Sequence, residues 1–157
     1  MRRALTYIVV ATVLCAPSSS AERKSWNQIR YVGGTVPIKT SRYDWNTTLT
    51  VTADAIVVEI APATVFAARK TVRIKPSQIV SLSANEAAWQ HVAAVDGAQL
   101  PAKHPTLFGI LADFEFLGLV YETDDGKRAA MLLDSNLSWP ILQVLTKVTG
   151  KPIENSP

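Results

Sequence analysis

Residues 114–133 read FEFLGLVYETDDGKRAAMLL, and residues 138–152 read SWPILQVLTKVTGKP. Phe114 to Tyr121 is rich in aromatic and β-branched residues, which predicts a strand. Asp124-Asp125-Gly126 predicts a tight turn: the carboxylates can bond their own backbone, and glycine accepts a positive φ. Lys127 to Leu133 then returns as a second strand. Ser138 is placed to cap a helix, Pro140 to sit in its first turn, and Gly150 with Pro152 to end it. Ile141, Leu142, Leu145 and Val148 fall on one apolar stripe, and Lys147 and Lys151 lie where the helix dipole favours cations. The expectation is a β-rich domain closed by one C-terminal amphipathic helix.

The same punctuation continues upstream. Gln28 to Val32 predicts a short strand ending at Gly33-Gly34, which allow a sharp turn or bulge. Thr47 to Thr52 alternates threonine with Leu49 and Val51, and Ala53-Asp54 turns the chain into Ala55 to Ile60. Pro62 interrupts pairing, and Ala63 to Arg69 is an irregular or edge segment. Thr71 to Lys75 and Gln78 to Ser83 are further short strands, parted by Pro76. Asn85 to Val95 predicts one or two helical turns, with Trp89 and Val92 or Ala93 on a common face. Asp96-Gly97 stops them. Pro101 and Pro105 hold the next loop extended, and residues 106–112 are apolar but interrupted by Gly109. Short alternating strands at this spacing fit a small antiparallel barrel or sandwich.

The first 21 residues have the composition of an export signal. Arg2 and Arg3 precede an uncharged apolar run, and Ser19-Ser20-Ala21 offers small residues for cleavage. The run is shorter than the roughly 20 residues a spanning helix needs. An uncleaved N-terminal anchor is the alternative. Cys15, the only cysteine, lies inside this segment, so a mature chain 22–157 would have no disulfide and no thiolate ligand. The 136 residues that remain suit one domain. Without Arg2 and Arg3 the formal charge falls from +3 to about +1, which argues for no nucleic-acid partner.

The order of these elements resembles that of pleckstrin-homology-like and GRAM-like domains. More closely, the chain is similar to small exported bacterial proteins of uncharacterised function. The residues that carry this likeness are Trp26 with Tyr31-Val32-Gly33-Gly34-Thr35, then Ile74 to Ile79, Thr123 to Lys127, and Val148 to Pro152. The resemblance implies about seven antiparallel strands bent into a PH-like barrel plugged by the last helix, and a periplasmic or extracellular location. It departs between Ala84 and Ala112, and Lys75 separates Ile74 from Pro76. Phosphoinositide-binding domains of that fold cluster basic residues in the first strand pair; here Arg30, Lys39 and Arg42 are dispersed. Fold likeness does not carry function.

Candidate chemistry is sparse. His91 and His104 belong to no metal-ligand spacing. Asp124 and Asp125 read as turn residues, and Asp113 and Glu115 share one face of a strand entrance. No Gly-x-Ser-x-Gly elbow and no phosphate loop is present. Asn46-Thr47-Thr48 and Asn136-Leu137-Ser138 match glycosylation sequons. Trp26, Tyr31, Tyr43 and Trp45 gather around the first strand and offer partner anchors, as do Leu107 and Phe108 in the apolar segment. The reading is an exported, non-catalytic binding or scaffolding domain with no cofactor and no metal, engaging a protein or peptide. Residues 106–112 offer a membrane-surface contact. The competing reading is a small secreted hydrolase built on His91 or His104 with a nearby carboxylate.

Overall fold

In the computed structural model, which describes residues 22–41, 43–102 and 115–155, the first strands are β1 (Lys24–Gly34), β2 (Thr47–Val51), β3 (Ile56–Ile60) and β4 (Lys70–Ile74). A 3-10 turn (Pro76–Gln78) leads to β5 (Ile79–Ala84) and helix α1 (Asn85–Ala93). Then follow β6 (Phe116–Glu122), β7 (Arg128–Asp134), helix α2 (Ser138–Thr149) and β8 (Ile153–Asn155).

The quoted hairpin forms as expected. β6 and β7 pair antiparallel without a break from Phe116↔Asp134 to Glu122↔Arg128. Its turn is closed by Gly126 N–H donating to the Thr123 carbonyl at 2.9 Å, with Gly126 at φ +78°. Thr123 donates to the Asp125 carboxylate, and Lys127 lies 3.1 Å from it. These hydrogen bonds hold the Asp125 pKa down at about 2. Asp124 instead ties the hairpin to the 3-10 turn, accepting from Gln78 at 2.9 Å and lying 3.6 Å from Lys75. Both acids serve the turn.

β1 is longer than its sequence signal and joins the two halves of the sheet. Its first half pairs with β2 and its second with β7, with register shifts between Trp26 and Ile29 and between Tyr31 and Gly33. Such bulges bend a strand and increase its twist. The strand order is β4-β3-β2-β1-β7-β6-β5-β8.

Two apolar layers flank this sheet. On one face Ile29, Leu49, Ile56, Leu82, Leu119 and Leu133 pack with Ile141, Leu142 and Leu145 of α2. Each large side chain removed from water there contributes roughly 1.5–3 kcal/mol. On the other face Phe116, Val120, Ala130 and Leu132 meet Ala88 and Val92 of α1. Trp89 packs edge-on against Phe116, with ring centroids 5.5 Å apart. β6 and β7 are therefore covered on both faces, which is why they read as continuous apolar runs.

The structure corrects several expectations. The sheet is not closed into a barrel, and it is mixed rather than antiparallel, because β8 runs parallel to β5 through Leu82↔Ile153 to Ala84↔Asn155. Three residues after Pro152 carry too little pattern to announce a strand. Two helices rather than one cover the sheet, since 85–93 forms a full α1. Ser138 does not cap α2: Leu137 holds the cap position without a side-chain bond. The Ser138 hydroxyl lies instead within hydrogen-bond reach of the Ser135 and Glu115 carbonyls, while Ser135 Oγ accepts from Leu137 N–H at 3.1 Å. Gly150 ends the helix as read, in the left-handed conformation with φ +69°. Residues 1–21, His104, Leu107, Phe108, the rest of 106–112 and Asp113 lie outside the described residues.

Candidate functional site

The connection from β1 to β2 is sewn back onto β1, and this builds one wall of a groove. Asn46 Oδ1 accepts from Tyr31 N–H at 2.9 Å, and Asn46 Nδ2 donates to the Ser41 carbonyl at 3.1 Å. Thr40 donates to the Tyr31 carbonyl at 3.2 Å. The opposite wall is the segment after α1, which bridges to β1 at Gly34↔Gln99, with Gly34 N–H donating to the Gln99 carbonyl at 3.0 Å. A Cβ on Gly33 would lie 2.3 Å from that carbonyl, so glycine is what lets the two segments touch. Between the walls is a groove of about 380 Å³ lined by Arg30, Lys39, Thr40, Ser41, Gln99 and Leu100, among others.

Arg30 is the chemically distinctive residue in it. β-pairing sets Arg30 opposite Asp134, and its Nη1 lies 3.7 Å from the Asp134 carboxylate. Both side chains are largely buried, at 12% and 4% exposed. Burial pushes the Asp134 pKa up, and the guanidinium charge opposes that rise. The guanidinium also sits 5.0 Å from the centre of the Trp45 ring, a cation–π arrangement. Its Nε is buried and has no hydrogen-bond partner among the described residues. A buried donor left unmatched costs free energy.

The aromatic residues singled out from sequence divide into two groups. Trp45 and Tyr43 are exposed beside this wall. Tyr31 is a core residue: its ring is buried and its hydroxyl donates to the Val36 carbonyl at 3.1 Å. Burial pushes its pKa up to about 12. Trp26 is partly buried against the main core. Asp134, Gln99 and Leu100 carried no signal in the sequence, because only the β1–β7 pairing and the Gly34 bridge bring them to Arg30.

A second groove, of about 670 Å³, lies on the α1 side and is lined by Ser81, His91, Asp96, Lys127, Arg128 and Glu154 among others. His91 Nδ1 is 3.3 Å from Glu154 Oε2, and both side chains are over a third exposed. No hydrogen bond joins Ser81 to His91 among the described residues. Glu115 is exposed, and the carboxylate paired with His91 is Glu154. Among the described residues, no three of His, Cys, Asp and Glu come together as a metal site would need.

No protein-family model and no curated protein matches this chain.

Proposed function

We propose that this chain is a non-catalytic binding module of the cell envelope that holds an acidic, acceptor-rich segment of a protein or peptide in the Arg30 groove. The observation that carries the reading is the Arg30 guanidinium in the lining of the groove, braced by Asp134 and Trp45. Lys39 adds a second cation, and Thr40, Ser41 and Gln99 add hydrogen-bonding side chains. A braced guanidinium binds with little loss of side-chain freedom, which favours affinity. The PH-like architecture is part of this proposal, supported by seven antiparallel strands followed by α2. Export is likewise proposed from the character of residues 1–21. Among the described residues no helix is long and apolar enough to cross a membrane.

Titration of the isotope-labelled chain with N-acetylated tetraglutamate, followed by amide NMR, tests the groove. Shifts should concentrate at Arg30, Thr40 and Gln99 and should be absent with tetralysine. Arg30→Gln should weaken binding by about tenfold or more, the scale of a charge-assisted hydrogen bond. Shifts scattered over the surface, or unchanged by Arg30→Gln, would refute the reading. Mass spectrometry of the native protein should place its N-terminus at or near Glu22.

The hydrolase reading draws on His91 paired with Glu154 in a groove that also holds Ser81. It lacks the hydrogen bond from nucleophile to base that activates a serine. Esterase turnover abolished by His91→Ala would favour it over the binding module.

A further inference from the structure

The β3–β4 connection, residues 61–69, presents its apolar residues outward. The Ala67 N–H donates to the Thr64 carbonyl at 3.2 Å, which makes Val65 and Phe66 the two central residues of a turn. Turn centres favour Gly, Pro, Asn or Asp, whose backbones or side chains suit the bend. Val65 is 93% exposed here and Phe66 98%. Nothing in the fold needs them there. The loop itself is anchored: Ala61 N–H donates to the Asn46 carbonyl at 2.7 Å, and Ala63 N–H to the Lys39 carbonyl at 2.9 Å. The apolar tip is therefore held out on a fixed base.

That base is cationic. From Ile60 to Lys75 the chain has no acid and carries Arg69, Lys70, Arg73 and Lys75. Lys75 is engaged by Asp124, whereas Arg69, Lys70 and Arg73 form no ion pair among the described residues. The Ala63–Lys39 bond brings exposed Lys39 to the same base. The nearest acid along the β3–β4 ladder, Glu59, stands opposite Thr71 and is outnumbered. An apolar tip beside an acid-free, cation-rich strand matches the layering of a bilayer surface, with acyl chains beneath anionic phosphates.

We infer that the β3–β4 loop inserts Val65 and Phe66 into the surface of an anionic lipid membrane, with Arg69, Lys70, Arg73 and Lys39 on the headgroups. A projecting pair of side chains suits a fluid interface, which closes around it, and the acid-free base selects negative charge. The site shares Lys39 with the wall of the Arg30 groove and does not involve Arg30 itself.

The test uses the full chain carrying Cys15→Ser and Phe66→Cys, labelled at that cysteine with a polarity-sensitive dye. It is mixed with phosphatidylcholine vesicles, with or without roughly one-third phosphatidylglycerol. The dye should shift to the blue only with the anionic vesicles, and salt near 0.5 M should largely reverse the shift by screening. Changing Arg69, Lys70 and Arg73 together to serine should weaken the response on the order of a hundredfold, given what each cation contributes near an anionic surface. In the unlabelled chain, Phe66→Ser should reduce co-flotation with anionic vesicles about tenfold. These residues are exposed, so the fold should tolerate the changes, and an unchanged melting temperature checks this. Arg30→Gln should bind vesicles like the parent, which separates this outcome from that of the groove. The inference is overturned by no blue shift, by an equal shift with neutral vesicles, by indifference to the serine triple variant, or by a shift that grows with protein concentration without lipid. The last result would mean that two copies of the chain bury the loop against each other.

Discussion

Gly118 marks a close approach of α1 to the sheet, and Gly118→Ala tests whether that contact exists. A Cβ at Gly118 would lie 2.5 Å from Ser83 Oγ, 2.9 Å from Ala88 Cα and 3.0 Å from Ala88 Cβ. The serine oxygen is on a small side chain packed in the interior, and Ala88 Cα is helix backbone. Relief therefore requires α1 to move from β6 by a few tenths of an ångström or more, loosening Val92 and the Trp89–Phe116 contact. Overpacking of this kind costs about 1–3 kcal/mol. The better strand and backbone entropy of alanine returns roughly 0.5–1 kcal/mol. The net expectation is a loss of about 1–2 kcal/mol, a fall in melting temperature of roughly 3–8 °C for a domain of this size. Urea unfolding followed by circular dichroism should show a lower midpoint with an unchanged slope. Ser83 Oγ is buried and has no hydrogen-bond partner among the described residues, so Ser83→Ala should be neutral or stabilising and should partly rescue Gly118→Ala. If Gly118→Ala melts with the parent or above it, α1 is not seated on β6 as described.

Other perturbations probe the remaining layers. Leu145 is fully buried beneath α2, so Leu145→Asp should cost about 3 kcal/mol or more and unfold much of the population; a melt within a few degrees of the parent would refute the packing of that helix. Tyr31 supplies an alkaline signature, because its pKa is raised to about 12 in the folded chain against 10.0 for the free phenol. Above pH 10 the unfolded chain releases this proton while the folded chain keeps it, so stability falls as pH rises toward 12, by roughly 2–3 kcal/mol. Urea midpoints measured from pH 9 to 11.5 should decline less steeply in Tyr31→Phe; equal slopes would refute the assignment.

The sequence by itself determined the local elements. The β6–β7 and β2–β3 hairpins and the end of α2 at Gly150 follow from turn chemistry and periodicity, which act over a few residues. The breaks at Pro62 and Pro76 follow from proline's missing N–H and fixed φ, also local properties. Ser138 misled because serine before an apolar helix is a common cap, whereas here neighbouring carbonyls claim its hydroxyl. What only the tertiary structure decided depends on pairings distant in sequence. The joining of two half-sheets along β1, the parallel docking of β8 on β5, and the covering of β6 by helices on both faces leave no local pattern. The Arg30 groove arises in the same way. Arg30 and Asp134 are 104 positions apart and become neighbours only when β1 pairs with β7, and only that pairing puts a braced guanidinium in the lining of a groove. Val65 and Phe66 read as ordinary apolar residues until the turn at Thr64–Ala67 shows that the fold does not bury them. Apolar composition states that burial is favourable, and only the packed chain determines which side chains obtain it.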